Sequence, residues 1–524
     1  MSERFESHAR TVTLLTLVSR ITGLVREATF SRLFGAGALM SSFAFAFMIP
    51  NLFRRLFGEG ALAAAFLPTY AQLEQRDPEL AKRLASLLIA KLMLILGVVT
   101  LLGEAVLFGI SMKSGHENIA IWLTMIMLPY MPMVCLVAIL GAMLQVHKRF
   151  GPTAAAPIVL NVCIIATAFG APFLMDVEHG ERRIAHLGLV AGSVLLGGVL
   201  QIGWTLFALR RFQWWRNDRK DAHDSLRKVM RLAGPMILGL GVLQLNTLLD
   251  GLIASYPTIV GDTIFGHAYP LDGGAMATVS FAQRLYQFPL GVFGIAVATA
   301  IFPLLARQAG DAQAFVATIR RGLRLVVFIG LPASVGMILV REELTAVVLQ
   351  GGLFTLENTK RVGFVLLGYA PAIWAYSMMH VLTRAYYAKD DSMTPVKVAI
   401  GVVLLNIVLN CTLIWTPLKE AGLAWSTALC SVVQVLILIT LIRKHCAALI
   451  DRDVLMSWGK TIICTLPMTG VVMLFATSFH GEAASWSISL GRLILLVGSG
   501  MALVVTTAIA LGMPELRWAI GKQS

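Results

Sequence analysis

Arginine residues interrupt apolar segments near the N-terminus of this chain. Arg20 lies nine residues into an apolar run that begins at Thr11, and Arg26, Arg54 and Arg55 follow in the same region. A charge at bilayer depth costs roughly 2.5–3.5 kcal/mol on insertion scales, so such a residue usually faces a water-filled cavity or a partner. Arginine also binds phosphate oxygens two at a time and keeps its charge at any relevant pH. The pattern predicts a cationic cavity between helices that holds an anionic, phosphate-bearing substrate.

The spacing of the arginines decides how they could share such a cavity. Arg20 and Arg26 are six residues apart, so they lie on one helical face only if the helix bends or unwinds at Gly23. Arg54 follows a proline break, and Arg284 occupies a comparable place in the second half of the chain. Two arginines lie near predicted helix ends, where snorkelling toward the membrane interface is the alternative interpretation: Arg26 and Arg55.

A second group of polar residues could bind a hard cation such as sodium. Asp250 is a carboxylate inside an apolar span, and Asn406 and Asn410 share one face of another. The next span begins with Gly422-Leu423 and continues to Ser426-Thr427. Together these residues supply a set of oxygen ligands. The alternative is that they form hydrogen bonds between helices, as Asn and Thr commonly do in membrane bundles.

Composition places the chain in a membrane. Of its 524 residues 57% are hydrophobic and 14% are charged, whereas a soluble domain carries about 25% charge. The net charge of +14 is explained by the concentration of Lys and Arg in cytoplasmic loops, and no basic, aromatic-interleaved run is long enough for a nucleic-acid domain. Catalytic motifs such as GxxxxGK[ST], HExxH and GxSxG beside a strand are absent. We therefore expect neither an enzyme nor a nucleic-acid partner, and no cofactor apart from a possible Na⁺.

Segment length predicts an all-α polytopic membrane protein. A membrane-spanning helix needs about 20 mainly apolar residues. That criterion gives about fourteen spans, at roughly 11–33, 37–58, 84–112, 118–146, 151–175, 184–209, 232–255, 273–305, 317–340, 361–386, 395–416, 421–442, 458–479 and 487–513. The span at 273–305 contains Arg284 and Pro289, so we expect a kink or break there. The first span is expected to be a retained helix because no small-residue cleavage site follows it.

Loop charge predicts the orientation in the membrane. The loop richest in Lys and Arg is 210–231, whereas the loops at 255–274 and 480–485 contain none. Both termini are therefore predicted to be cytoplasmic. The 210–231 segment also contains two tryptophans, so it either lies as a helix on the inner leaflet or is an ordinary charged connector.

A faint internal repeat relates the two halves of the chain. The stretch from Phe57-Gly58 to Pro68 is similar to the stretch from Phe293-Gly294 to Pro303. Six predicted spans separate the copies, and six is an even number, so both halves would enter the membrane in the same sense. The repeat predicts parallel halves related by an axis along the membrane normal, with a site at their interface.

Several motifs together resemble the MurJ/MviN lipid II flippase family. They are SR-x5-R, FGAG, IPNLFRRLFGEGALAAAFLP, AQRLYQFPLGVFG and TPVK, and the resemblance covers essentially the whole chain. It implies a six-helix lobe at 1–217, a second at 218–450 and two further helices at 451–524 that form a groove for a lipid tail. It also implies that a monomer in the bacterial cytoplasmic membrane moves the undecaprenyl-diphosphate-linked peptidoglycan precursor, lipid II, from the inner to the outer leaflet by alternating access.

The resemblance assigns roles to residues by motif. The cavity arginines of the family correspond to Arg20, Arg26, Arg54 and Arg284. Further residues that could contact the substrate or form a gate are Asn51, Arg55, Gln287 and Lys397. The sodium site of some members corresponds to Asp250, Asn406, Asn410, the carbonyl of Leu423, and Thr427.

The chain departs from the family where related sequences often have acids. Ser41, Ser42, Gln283, Gln287 and Asn410 stand at or near those positions. We therefore expect the cavity arginines to be less neutralised.

The alternative functions are a flippase for another polyprenyl-linked glycan and a cation-coupled exporter of the same superfamily. The exporter predicts acids rather than arginines in the N-terminal cavity, and a scaffold without transport predicts no unpartnered intramembrane arginines.

Overall fold

The fold is almost entirely helical. The computed structural model describes residues 2–58, 61–113, 118–173, 180–218, 221–446, 449–478 and 486–519. Within them the β-structure is a two-stranded antiparallel sheet in which Thr263–Ile264 (β1) pairs with His267–Ala268 (β2).

The first half of the chain contains nine α-helices within the described residues. They are α1 (Ser2–Phe34), α2 (Ala38–Phe53), α3 (Ala61–Arg76), α4 (Pro78–Lys113), α5 (Ile119–Met127), α6 (Tyr130–Val146), α7 (Gly151–Gly170), α8 (Gly180–Leu209) and α9 (Ala222–Ile259). A π-helical segment, Arg54–Gly58, continues α2, and short 3-10 segments follow α7 and α8 at Ala171–Phe173 and Arg210–Phe212.

The second half repeats the pattern of long apolar helices with short breaks. Its helices are α10 (Ala275–Pro289), α11 (Ile295–Arg307), α12 (Ala312–Leu339), α13 (Arg341–Leu349), α14 (Leu356–Tyr369), α15 (Ile373–Ala388), α16 (Met393–Leu413), α17 (Ala421–Leu441), α18 (Arg452–Ser478), α19 (Trp486–Ala510) and α20 (Pro514–Ala519). A second π-helical segment, Leu290–Gly294, joins α10 to α11. The 3-10 segments are Ala370–Ala372 and Ile442–Lys444.

The prediction of an all-α polytopic membrane protein is confirmed. Within the described residues, ten helices or joined helices are long and apolar enough to cross a membrane. The other predicted spans lie on α1, on α2 with its π-helical extension, on α9 and on α10 with α11. The count of fourteen stays a prediction, because these four helical regions are not among the ten.

The chain divides into two compact units. The first unit comprises Met1–Ala277 and Gly351–Leu353, and the second comprises Thr278–Gln350 and Phe354–Ser524. Helix α9, which opens the predicted second lobe, belongs to the first unit because it packs against α2, α3 and α4. A boundary drawn by compactness is not a boundary between repeats, so the lobes at 1–217 and 218–450 and the pair at 451–524 stay predictions.

Small residues set the close packing of the first unit. Helix α1 packs along α7, and α7 packs along α8. A Cβ at Gly188 of α8 would lie 2.2 Å from the Trp122 ring of α5, so only glycine admits that ring. Near the end of α1, Phe30 packs edge-to-face against Phe43, with ring centroids 4.8 Å apart.

A short segment far along the chain packs on the end of α1 in the same unit. The backbone N–H of Leu353 donates to the carbonyl oxygen of Arg32 over 2.8 Å. Gly352 has a φ of +54°, and a Cβ there would lie 2.2 Å from the same oxygen. Glycine is therefore required twice, for the left-handed backbone and for the close approach.

The last helices of the second unit pack on α12. Phe328 of α12 and Val340 share a buried cluster with Cys464 and Met468 of α18 and Leu496 of α19. The buried carboxylate of Glu515 joins helix α20 to α12 and α18. Its Oε1 accepts from Arg324 Nε at 2.6 Å and from Ser457 Oγ at 2.7 Å.

Candidate functional site

The arginines of α1 point in different directions. The helix is α-helical from Ser2 to Phe34, with no break at Gly23. Six residues at about 100° each place Arg20 and Arg26 roughly 120° apart around the helix axis. Arg20 is exposed at the protein surface, whereas Arg26 retains 8% of its accessible surface. The bend that would bring both onto one face does not occur.

Arg26 is held by three groups inside the first unit. Its Nη1 donates to Asn161 Oδ1 at 3.0 Å, and its Nη2 donates to Glu27 Oε1 at 2.6 Å. The guanidinium also lies over the Phe47 ring, 5.7 Å from the centroid. Burial and pairing of this kind exclude the snorkelling interpretation for Arg26, because a snorkelling side chain leaves its charge in water.

Two residues that sequence reasoning missed position this arginine. Asn161 of α7 also donates through Nδ2 to Thr22 Oγ1 at 3.1 Å, so it joins α7 to α1. Glu27 supplies a buried negative charge beside Arg26. The expectation that the cavity arginines are less neutralised than in related sequences stays a prediction. Two features of the sequence could have indicated these partners. Glu27 directly follows Arg26, and Asn161 is an amide in a span without charged residues.

The end of α2 presents the next pair of arginines. Arg54 and Arg55 begin the π-helical segment, and both are half-buried. Arg54 Nε donates to Asn51 Oδ1 at 2.8 Å, so Asn51 orients the Arg54 side chain. A direct substrate or gate role for Asn51 stays a prediction. Arg55 Nη1 lies 3.5 Å from Gln244 Oε1 of α9. π-Helical segments inside α-helices occur frequently at functional sites.

Ser41 and Ser42 are buried, and each hydroxyl forms a hydrogen bond. Ser41 Oγ accepts from the backbone N–H of Ala277 at 3.0 Å. Ser42 Oγ donates to the carbonyl oxygen of Ala38 at 2.9 Å. Neither hydroxyl is arranged as the partner of a cavity arginine, so these positions serve packing in the first unit.

The second unit contains the matching break around Pro289. Arg284 is half-buried in α10, and the expected break is confirmed by the π-helical segment Leu290–Gly294. Both π-helical segments are five residues long and end at the glycine of a Phe-Gly pair. The faint sequence repeat is therefore a repeat of local structure, whereas a shared site of Arg284 with the first-unit arginines stays a prediction.

Gln283, next to Arg284, makes a polar contact within the second unit. Gln283 Nε2 donates to the hydroxyl of Tyr369 at 3.1 Å. Gln287 is half-buried one turn further along α10, and Lys397 is exposed near the start of α16. A gating role for Gln287 and Lys397 stays a prediction.

The amides proposed as sodium ligands form a hydrogen-bond network. Asn410 Nδ2 donates to Asn406 Oδ1 at 2.8 Å, and Ser426 Oγ donates to Asn410 Oδ1. The carbonyl oxygen of Leu423 accepts from Ser426 at 2.8 Å and from Thr427 at 2.9 Å. These oxygens are already used as acceptors, so the second-unit residues fit an interhelical network better than a preformed sodium site.

The carboxylate of the predicted sodium set lies in the first unit. Asp250 of α9 retains 3% of its accessible surface. Sodium binding by the five residues stays a prediction.

The basic segment at 210–231 is a connector within the described residues 210–218 and 221–231. It contains a short 3-10 segment, an irregular stretch and the start of α9. Arg216 forms an ion pair with Glu79 of α4 at 2.8 Å, and Asp218 pairs with Arg83 at 3.5 Å. These contacts join the segment to α4 and do not form a separate surface helix, which favours the connector interpretation.

Comparison with known proteins identifies the family. The family model described as lipid II flippase MurJ matches residues 30–493. The chain belongs to the lipid II flippase MurJ family. The match includes every position assigned by motif except Arg20 and Arg26, which precede it.

Relatives of the MurJ family align over most of the chain. The probable lipid II flippase MurJ of Vibrio cholerae serotype O1 is 30% identical over 98% of this chain and 97% of its own length. The lipid II flippase MurJ of Burkholderia cenocepacia is 29% identical over 83% of both chains. The similarity is spread over the chain and is not confined to one motif.

Solved structures show the same fold. A lipid II flippase MurJ in an inward closed conformation matches with a TM-score of 0.75 at 20% identity, covering 98% of this chain and 99% of that one. An inward-facing multidrug resistance MATE family transporter of the MOP superfamily matches with a TM-score of 0.64 at 12% identity, covering 84% and 98%. At these identities the likeness concerns the fold, which the MurJ family shares with MATE transporters.

Proposed function

We propose that this protein flips lipid II from the inner to the outer leaflet of the bacterial cytoplasmic membrane by alternating access, for cell wall synthesis. The observation that carries the proposal is the family match over residues 30–493, with a 30% identical relative aligned almost end to end. The intramembrane arginines add chemical support, because guanidinium groups bind phosphate oxygens in bidentate pairs.

The arginines of the first unit divide into two roles. Arg26 is paired with Glu27 and fixed by Asn161, so its charge is largely neutralised and it shapes the helix interface. Arg20 is exposed, and Arg54 is oriented by Asn51 at the π-helical break. We therefore assign diphosphate binding in the first unit mainly to Arg20 and Arg54, and a role for Arg284 of the second unit stays a prediction.

The membrane potential gives the transport a direction. Moving one negative charge outward across an inside-negative potential of 100 mV releases about 2.3 kcal/mol. The diphosphate of the substrate is negatively charged, so outward movement is favoured when the carrier's own charges stay in place. A cation-coupled exporter would instead place acids where this chain has arginines.

The test of the function is complementation in cells depleted of their own precursor flippase. We expect the wild-type chain to restore growth and to move lipid II to the outer leaflet. Each of the variants Arg20→Ala, Arg54→Ala and Arg284→Ala should lose more than about 90% of that activity. A tenfold loss corresponds to roughly 1.4 kcal/mol. Arg227→Ala is the control, because Arg227 is exposed and pairs only weakly with Asp224, at 3.6 Å.

The measurements are colony growth, protein level and the accessibility of lipid II to an external lipid II-cleaving enzyme. Complementation by all three alanine variants at normal protein level contradicts the phosphate-binding role. Failure of the wild-type chain to expose lipid II, with exposure of another polyprenyl-linked glycan, would favour that rival substrate. We further propose that the protein acts as a monomer. We also propose that both termini lie in the cytoplasm, and reporter fusions at each terminus can check that orientation.

A further inference from the structure

An open groove lies between α4, α5 and the start of α6 in the first unit. Its volume is about 660 Å³, and its lining residues are Gly97, Thr100, Leu101, Glu104, Trp122, Met125, Ile126, Pro129 and Pro132. The hydroxyl of Thr100 donates to the carbonyl oxygen of Leu96 over 2.7 Å, so it is used within α4. An occupant of the groove would therefore meet apolar surface and the carboxyl group of Glu104.

Glu104 of α4 is half-buried, and one oxygen of its carboxyl group is enclosed by the protein. Its Oε1 is buried and has no hydrogen-bond partner among the described residues. Enclosing a carboxyl oxygen without a hydrogen-bond donor is costly in an apolar setting. The transport proposed above gives this acid no role. The missing donor can come from whatever occupies the groove.

The groove opens onto a surface that lipid covers. Large apolar side chains of α4 on either side of Glu104 are exposed at the protein surface: Leu94, Leu101, Leu102, Val106 and Phe108. A contiguous apolar surface of this kind on a membrane-spanning helix faces hydrocarbon. The occupant is therefore a molecule of the bilayer with apolar chains.

The level of Glu104 along α4 corresponds to the lipid head groups. The helix has 36 residues and is about 54 Å long, whereas the hydrocarbon layer is about 30 Å thick. With the excess shared between both ends, about 12 Å of helix projects on each side, and Glu104 lies about 13 Å before Lys113. Trp122 lines the groove three residues after the start of α5, and tryptophan is enriched at this level.

We propose that the groove is a binding site for a phospholipid with a primary ammonium head group, of the phosphatidylethanolamine class. The ammonium donates a charge-assisted hydrogen bond to Glu104, and an acyl chain lies along the apolar lining. Phosphatidylcholine fits the groove but has no N–H donor. Phosphatidylglycerol is anionic and is repelled by the carboxylate. The proposal stands on the groove alone and does not depend on the transported substrate.

The test measures lipid binding to the purified full-length protein in detergent by native mass spectrometry. The probes are dioleoyl phosphatidylethanolamine, phosphatidylcholine and phosphatidylglycerol. We expect the wild type to prefer phosphatidylethanolamine over phosphatidylcholine by roughly tenfold, the factor expected for one charge-assisted hydrogen bond. Glu104→Gln should reduce that preference to within about twofold, because a neutral amide attracts the ammonium less.

A matched pair of glycine variants tests the groove separately from the charge. A Cβ at Gly97 or at Gly109, both on α4, meets no atom within 4 Å, so each site accepts a larger side chain. Gly97 lines the groove and Gly109 does not. We expect Gly97→Leu to weaken the binding of both phosphatidylethanolamine and phosphatidylcholine, because the leucine side chain fills the groove. Gly109→Leu should leave the binding of both lipids unchanged.

Three outcomes overturn the proposal. They are equal wild-type affinity for phosphatidylethanolamine and phosphatidylcholine, an undiminished preference in the Glu104→Gln variant, and unaltered lipid binding in Gly97→Leu. The last outcome, together with co-purification of a membrane protein that Gly97→Leu releases, would assign the groove to a partner helix instead.

Discussion

Arg26 shows how one residue can be charged and buried in an apolar helix. Its two terminal nitrogens donate to an amide on α7 and to the neighbouring carboxylate, and an aromatic ring covers the guanidinium. Each of the three partners offsets part of the free-energy cost of removing the Arg26 charge from water. No single partner offsets all of it. The positive charge that reaches a substrate is therefore governed by the partner of each arginine rather than by the number of arginines.

Replacing Asn161 tests this arrangement. Asn161→Ala leaves a buried Arg26 donor unpaired, which costs about 1–3 kcal/mol, so we expect a lower Tm in detergent. Asn161→Asp keeps an acceptor for Arg26, so its Tm should fall less than that of Asn161→Ala. Thermal unfolding followed by tryptophan fluorescence is the measurement. Equal Tm values for Asn161→Ala and the wild type contradict a positioning role for Asn161.

His147, just after α6, makes stability depend on pH. Its ring stacks on Phe212 with centroids 3.9 Å apart, and its Nε2 lies 3.4 Å from the Tyr70 hydroxyl. Burial lowers the pKa of His147, Glu74 raises it and Arg149 lowers it, and the pKa ends below the ordinary 6.5. The unfolded chain therefore binds a proton that the folded protein binds less readily, and stability falls as pH falls below about 6.5.

The corresponding experiment compares the wild type with His147→Gln between pH 7.5 and 5.5. We expect the Tm of the wild type to fall more over this range, because only the wild type must bury a group that the unfolded chain protonates. The variant removes this contribution even if the loss of stacking lowers its Tm at every pH. Parallel Tm curves would show that His147 does not contribute to the pH dependence.

At the scale of elements, the two π-helical segments are the clearest shared feature of the halves. Each follows a helix that contains a proline and ends at a Phe-Gly pair. A π-helical turn interrupts the regular hydrogen-bond ladder and changes the direction of the side chains that follow. Arg54 lies at the start of the first segment, so the irregular turn sets where its guanidinium points.

The second segment depends on a close contact at Gly294. A Cβ there would lie 2.4 Å from Ser377 Oγ of α15 and 3.0 Å from its Cβ. Gly294→Ala should therefore destabilise the protein by about 1–3 kcal/mol through overpacking, and Ser377→Gly in the same chain should restore part of the loss. Differential scanning fluorimetry measures both.

The control for this change is Gly336→Ala in α12. No atom lies within 4 Å of a Cβ at Gly336, and alanine is the better helix former by up to about 1 kcal/mol. This variant should be neutral or more stable than the wild type. If Gly294→Ala behaves like Gly336→Ala, the contact with Ser377 does not constrain the π-helical segment.

At the scale of the molecule, residues 351–353 belong to the first unit although the chain on either side of them belongs to the second. The contact with the carbonyl oxygen of Arg32 depends on glycine at position 352, for reasons of both backbone angle and space. A close approach of two backbones cannot be relieved by rotating a side chain. The segment must move if a Cβ is added.

Gly352→Ala should therefore detach the segment from the end of α1. We expect a lower Tm and faster labelling of a cysteine placed at Leu353, compared with the same cysteine in the wild-type background. Gly310→Ala serves as the control, because a Cβ at Gly310 meets nothing within 4 Å. Unchanged labelling in Gly352→Ala would mean that the contact with Arg32 does not hold the segment in solution.

The sequence by itself determined the membrane class, ten of the helical spans, the break near Pro289 and the family. These follow from local properties: apolar length, proline position and contiguous motifs are written in neighbouring residues. It also singled out arginines in apolar helices, since a costly charge is visible without any partner.

The partners of those charges were decided only by the tertiary structure. Asn161 is 135 residues from Arg26, and no spacing rule connects them. The direction of Arg20 depends on α1 staying regular through Gly23, and the amides near Asn410 are satisfied by Ser426 of the next helix. Hydrogen bonds between helices depend on distance in space, which the order of residues along one chain does not specify.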